Sequence, residues 1–435
     1  MLMGWKNKDA KAVVSNIGWL LFDKIALLIS NAVIVFVVAN YYGASEYGIF
    51  QYANSIVLLL AIIVQLIDAR VTKKKYTTNK YDYVVFNATI AKCLLSLFVL
   101  LVGGIIILIG DKQYPFSQIF LVLLIDNIVK NIKFGMENRF EYLLRSKNVI
   151  VASDISLLIG TVLQIVAVRL QQPIIVISII QLIASVIGLV ILRIQYCISF
   201  KIIRNDQKVS LHFIQSIILE SLPLSIAAAA SVIYTKCDAV MLGRMMSSKE
   251  VGIYSISSNL IRAVQLLIIP IQTTIYVKML EWKSNDDQYN RKYLQITSFV
   301  TWISIIGILF SFLVLPIVFG FLKEEYLPAM SSYYILSIGS LAAYNAILRS
   351  SHVTIISAGK CLMGIQWIAV VLNLILNYFL IDAMGMNGAA VATATSQVAS
   401  LMLLNILYPE TRYCFLMQLK AFNPKYGIQF IQSNK

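Results

Sequence analysis

Hydrophobic residues run along this chain in long blocks and not in single alternation with polar ones. LLSLFVLLVGGIIILI (94–109) and PIIVISIIQLIASVIGLVIL (173–192) are two such blocks, and each approaches the roughly 20 residues that carry a helix across a bilayer core. Twelve spans are expected, near residues 13–39, 48–69, 83–109, 117–136, 149–168, 173–195, 214–242, 251–277, 294–319, 329–348, 361–381 and 387–408. The chain lacks the short alternating segments of a transmembrane barrel. Helix is then the remaining way for a lipid-exposed backbone to satisfy its N–H and C=O groups. The pattern predicts an all-α polytopic membrane protein.

Composition sharpens this reading. Of 435 residues, 59% are hydrophobic and only 13% charged, against about 25% charged in soluble domains. Mean hydropathy is +0.78. A soluble enzyme or a secreted globule is excluded, because so few charges cannot cover its surface. The net charge of +15 is unevenly placed: 27 Lys and Arg fall in the termini and the even-to-odd connections, and 5 on the opposite side. Positive charge stays cytoplasmic, so both termini are expected in the cytoplasm. The same bias accounts for the basic excess without a nucleic-acid partner. The first apolar stretch has no small-residue cleavage site after it and reads as helix one. Cys93, Cys197, Cys237, Cys361 and Cys414 show no metal or redox spacing and read as packing residues.

An internal repeat divides the chain. YYGASEYGIF (41–50) aligns with MMSSKEVGIY (245–254) at an offset of 204, pairing Glu46 with Glu250 and Gly48 with Gly252. Six spans separate the copies, so the halves are expected as parallel repeats of the kind found in transporters, with a central site between them. The expected division is a six-helix lobe over 1–210, a second over 211–408 and a cytoplasmic tail over 409–435. Small residues every fourth position, Gly388–Ala392–Ser396–Ser400 and Ala227–Ser231–Thr235, mark faces expected to pack closely.

The segments WLLFDKIALLISNAVIVFVVANYYGASEYGIFQYANSI (19–56), PLSIAAAASVIYTKCDAVMLGRMMSSKEVGIYSISSNL (223–260) and NLILNYFLIDAMGMNGAAVATATSQ (373–397) resemble polysaccharide repeat-unit flippases of the Wzx type. That group sits in the multidrug/oligosaccharidyl-lipid/polysaccharide exporter superfamily, with the MATE-like transporters. The resemblance implies twelve transmembrane helices in two six-helix lobes and a V-shaped, alternating-access bundle in the bacterial inner (plasma) membrane. The implied activity is movement of an undecaprenyl-diphosphate-linked oligosaccharide from the cytoplasmic to the outer leaflet for O-antigen or capsule biosynthesis. Other polysaccharide assembly proteins are then potential partners.

A diphosphate leaving water calls for fixed cations within the bundle, each costing about 2.5–3.5 kcal/mol to insert. Lys24 and Arg262 each fall roughly 16 Å into a span and are the leading phosphate-binding candidates. Lys236 ranks third. Lys92 has a cavity role, snorkelling, or pairing with Asp126 or Asp154 as its alternatives. Asp23, Asp238 and Glu220 are the candidate ion-coupling carboxylates, while Tyr234 and Gln265 read as packing residues before sugar contacts. No phosphate-binding loop of the G-x-x-x-x-G-K-[ST] type occurs. Passive or secondary transport is expected, and an inside-negative potential moving a dianion outward supplies about 4–5 kcal/mol per 100 mV. His212 and His352 stand alone, so neither a metal nor another cofactor is expected. The alternatives are a MATE-like drug or cation exporter, a flippase of lipid-linked peptidoglycan precursor, and a membrane glycosyltransferase or polymerase. The short outer loops, which carry no D-x-D pair, weigh against an enzyme.

Overall fold

The computed structural model describes residues 26–30, 32–109, 115–200, 208–266, 268–283 and 285–433. Helices account for the regular structure throughout these residues, and no strand occurs among them. Eight helical segments are long and apolar enough to cross a membrane among the described residues. The chain is an all-α polytopic membrane protein, and its outer faces are made of large apolar side chains. On the helix Asp286–Gly320, for example, Ile303, Ile306, Phe310, Leu313 and Ile317 are all more than half exposed.

Two compact units are present, Met1–Tyr42 with Ile49–Val232 and Gly43–Gly48 with Ile233–Lys435. This division differs from the expected boundary at 210/211. In the first unit, α1 (Asn40–Leu60) is followed by a break and a short α2 (Ala69–Lys75), where a single span over 48–69 was expected. Asp68 starts α2 by accepting from the Arg70 amide at 2.7 Å, a side-chain cap. Four long helices follow, α3 (Tyr81–Ile109), α4 (Phe116–Ile132), α6 (Ser146–Arg169) and α7 (Ile175–Ser199), with α5 (Phe134–Tyr142) between the middle two. The next helix, α8 (Leu211–Met245), begins in this unit because Phe213, Ile214 and Ile217 pack into its core beside Ile67, Val71 and Val84. Ser225 of α8 also donates to the Gln65 carbonyl at 2.6 Å.

The second unit takes the rest of α8, then α9 (Ser248–Leu266), α10 (Ile268–Trp282), α11 (Asp286–Gly320), α12 (Ala329–Asn345), α13 (Arg349–Ile355), α14 (Gly359–Met384) and α15 (Met386–Leu401). Residues 248–266 and 268–282 are helical along the span expected over 251–277, with residue 267 outside the described residues. The described part of the tail, up to residue 433, is helical and packed. Its helices α16 (Pro409–Lys420) and α17 (Pro424–Ser433) lie against α11, and the Gly427 amide donates to Ser298 Oγ at 3.1 Å. The stripe Gly388–Ala392–Ser396–Ser400 is buried, as close packing requires. The other stripe is not: Ser231 and Thr235 are exposed, and the buried small residues of α8 are instead Ser221, Ser225, Ala229 and Ala230.

The repeat copies meet in this unit. A Cβ on Gly48 would lie 1.7 Å from the Ser248 carbonyl oxygen, and one on Gly252 would lie 2.0 Å from that of Ala44. Each glycine therefore opposes the position four residues before its counterpart. Ahead of Gly48, Gly43 adopts φ +79°, a conformation only glycine takes freely. This turn presents the Ala44 amide to the Glu325 carboxylate at 3.1 Å.

Candidate functional site

Ionisable groups inside an apolar bundle must be paired, hydrogen-bonded or functional. In the first unit most are paired. Arg139 contacts Asp82 at 2.6 Å, donates to the Tyr196 hydroxyl at 2.5 Å and stacks over Phe200 at 4.1 Å. Asp126 pairs with Lys130 at 2.6 Å. Lys92 is 6% exposed and pairs with neither Asp126 nor Asp154, its ammonium sitting 4.4 Å from the Phe134 ring centre. Glu220 is exposed on α8, bonded to Lys75 and to Ser216. Asp23 and Lys24 lie outside the described residues.

The second unit concentrates the remaining candidates. Asp238 is 4% exposed where α8, α9, α14 and α15 converge. Its Oδ1 accepts from Asn377 Nδ2 at 2.8 Å, with the Cys237 sulfur 3.6 Å away. Its Oδ2 accepts from the Tyr254 hydroxyl at 2.8 Å and from the Thr393 hydroxyl. Asn373 extends the cluster, its Oδ1 accepting from Asn377 at 3.0 Å and from Cys237 at 2.9 Å. These partners were missed in the sequence. The available signal was the pair Asn373 and Asn377, four residues apart on one face of an apolar span.

Arg262, half-buried on α9, has only neutral partners: the Ser258 carbonyl at 3.3 Å, Ser258 Oγ at 3.2 Å and Asn259 Oδ1 at 3.0 Å. Asn259 is itself fixed by the Tyr47 hydroxyl at 3.2 Å. Lys236, half-buried on α8, makes no ion pair or hydrogen bond among the described residues. Two cations with no carboxylate at ion-pair distance thus share one neighbourhood with an acid whose acceptors are already filled. That arrangement favours an incoming anion at the cations. Tyr234 donates to the Thr393 carbonyl at 3.0 Å and Gln265 to Ser340 at 3.0 Å, so both are held by the protein.

Outside the apolar spans, His352 accepts or donates at 2.7 Å to the Tyr289 hydroxyl and stacks on Tyr413 at 4.6 Å. Burial, with the Lys283 charge nearby, pushes its pKa down to about 4. No group of three or more His, Cys, Asp or Glu suited to a metal occurs among the described residues.

The long apolar helices and their apolar outer faces define a multi-pass helical membrane protein. The family described as polysaccharide biosynthesis protein matches residues 13–277, and the chain belongs to that family. It is 29% identical over 186 residues to a Haloferax volcanii protein named "Probable low-salt glycan biosynthesis flippase Agl15", covering 39% of this chain and 37% of that one. It is 26% identical over 241 residues to a Shigella flexneri protein named "Putative O-antigen transporter", covering 53% of this chain and 56% of that one. The matches therefore take in less than two thirds of these relatives. Among solved structures, a lipid II flippase MurJ in an inward closed conformation superposes with a TM-score of 0.71 at 14% identity, over 96% of this chain and 93% of that one. An inward-facing MATE family multidrug transporter of the MOP superfamily gives 0.68 at 12% identity, over 93% and 95%. At such identities the likeness is one of fold.

Proposed function

We propose that the protein is a flippase that carries an undecaprenyl-diphosphate-linked oligosaccharide repeat unit from the cytoplasmic to the outer leaflet of a bacterial inner membrane, by alternating access and without catalysing a covalent step. The observation that carries this reading is Arg262 and Lys236, two half-buried cations with no carboxylate at ion-pair distance among the described residues, in a chain of the polysaccharide biosynthesis family. A dianionic diphosphate supplies the charge they lack, and its transfer out of water is unfavourable without them. Lys24 is proposed as a further cation on the substrate path, and Lys92 as a weaker one. The excess of Lys and Arg in one set of connections supports both termini in the cytoplasm.

Asp238 is proposed as the coupling carboxylate, ahead of Asp23 and of Glu220, which is already engaged by Lys75. The Tyr254 and Thr393 hydroxyls that donate to Asp238 can turn to accept from its protonated form, which suits a proton as the coupling ion. Export of a cationic drug is disfavoured because such a substrate seeks an open carboxylate, and the Asp238 oxygens accept from three donors.

The test is complementation of a strain lacking its polysaccharide repeat-unit flippase, with wild type, Lys24→Ala and Arg262→Ala at matched membrane abundance. Restored surface glycan with wild type and its loss in both variants is the expected result. Restoration by all three removes the cation assignment. Failure of wild type together with rescue of a strain lacking its peptidoglycan-precursor flippase would transfer the assignment to that substrate.

A further inference from the structure

A cavity of about 460 Å³ lies between α11 and α12 in the second unit, and the transport cycle above makes no use of it. One wall carries Ser304, Gly307 and Ser311 of α11, spaced three and four residues apart on a single helix face. The facing wall carries Ser337 and Ser340 of α12, bracketed four residues away on either side by Tyr333 and Tyr344. Stripes of small residues normally let helices close on each other. Here the two tyrosines stand at the ends of the stripe, and a slot remains. The eleven helical steps from Tyr333 to Tyr344 give it a length of about 16 Å, roughly half the hydrocarbon core.

The serines do not make the slot polar. Ser304 donates to the Val300 carbonyl at 2.7 Å, Ser311 to Ile308 at 2.7 Å, Ser337 to Tyr333 at 2.8 Å and Ser340 to Leu336 at 3.2 Å. Each hydroxyl proton is spent on its own helix, so a water entering the slot would find few partners, and an apolar void of this kind stays dry. Hydrocarbon is the matching occupant. The slot is partly open and is bordered by Ile303, whose side chain is 53% exposed on the lipid-facing side of α11.

Charge decides which hydrocarbon. Ile261 forms part of the wall, and the next residue along α9 is Arg262, whose partners are all neutral. Gln265, one turn further on, donates to Ser340 in the wall at 3.0 Å. We propose that the slot receives the head-proximal isoprene units of the polyprenyl chain while the diphosphate sits at Arg262 and Lys236. The two cations match a diphosphate better than the single phosphate of a bulk phospholipid. This proposal rests on the flippase reading and adds to it a seat for the lipid tail, fixed beside the headgroup site.

Gly307 supplies a clean test, because a Cβ built there meets no heavy atom within 4 Å. Gly307→Leu fills the slot without displacing a wall and removes a helix-weakening glycine. Gly104→Leu, also with open space around its Cβ, makes the same change on α3. Full-length protein in nanodiscs is photolabelled with undecaprenyl diphosphate bearing a diazirine near the head, and separately with phosphatidylglycerol bearing one on its acyl chain. Undecaprenyl label is expected on peptides of α11 and α12, falling about tenfold in Gly307→Leu and unchanged in Gly104→Leu. Inorganic pyrophosphate binding is expected to be lost in Arg262→Ala and kept in Gly307→Leu. Equal labelling of the slot by phosphatidylglycerol, uncompeted by undecaprenyl diphosphate, overturns the proposal. Full undecaprenyl labelling in Gly307→Leu with pyrophosphate binding still dependent on Arg262 overturns the slot alone, and indifference of both readouts to both substitutions overturns the flippase reading with it.

Discussion

Replacing Asp238 separates its structural work from its proposed coupling role. In Asp238→Ala, the Tyr254 hydroxyl, the Thr393 hydroxyl and the Asn377 amide lose their acceptor. Each buried donor left unmade costs about 1–3 kcal/mol, so the ceiling is roughly 3–9 kcal/mol before the neighbours relax. In Asp238→Asn the remaining oxygen can keep the Tyr254 and Thr393 bonds, and only the side facing Asn377 becomes donor against donor. The expected cost is then about 1–3 kcal/mol. Thermal unfolding of purified protein should rank wild type above Asn and Asn above Ala. In proteoliposomes, Asp238→Asn should flip lipid-linked substrate at a rate indifferent to an imposed proton or sodium gradient that accelerates wild type. Equal destabilisation by Asn and Ala would refute the hydrogen-bond accounting. Undiminished gradient stimulation in Asp238→Asn would refute the coupling role.

Three further outcomes are expected. Arg139→Leu or Asp82→Asn alone strands one buried charge of the 2.6 Å pair and should cost about 3–5 kcal/mol, whereas a matched apolar pair at both positions should recover much of that loss in the same melting assay. Glu220→Gln breaks an exposed pair with Lys75, so stability should change by about 1 kcal/mol or less and glycan export should persist. His352, held down to about 4 by burial against about 6.5 when unfolded, stabilises the fold through its neutral form. That contribution is complete above the unfolded value and is lost as pH falls towards 4, because only the unfolded chain gains the proton in that window. The melting temperature should decline over this range, and the decline should be shallower in His352→Gln.

The membrane bundle was legible because lipid imposes one rule on every span: apolar side chains outside and a helix within. The repeat was legible too, since Gly48 and Gly252 are held by backbone contacts that no side chain can replace. Helix breaks were harder to read. The break after Leu60 occurs inside a continuous apolar block, where hydropathy carries no signal for backbone direction. The tail looked like a cytoplasmic appendage because its charged residues obscured the face that packs on α11. The Asp238 partners were invisible as a set, since α14 and α15 bring Asn377 and Thr393 from 139 and 155 residues away.

The glycine contact also limits how the two halves of the chain can change through time. Ala44 faces Gly252 and Ser248 faces Gly48, and each pair of positions maps onto the other by the repeat offset of 204. A surface that meets its own copy in this reciprocal way is what a two-fold dimer interface presents. Here the same reciprocity occurs within one chain. A bulkier residue acquired in one half is therefore felt by the other, so positions 44, 48, 248 and 252 are bound to drift as one set while the sequence around them diverges.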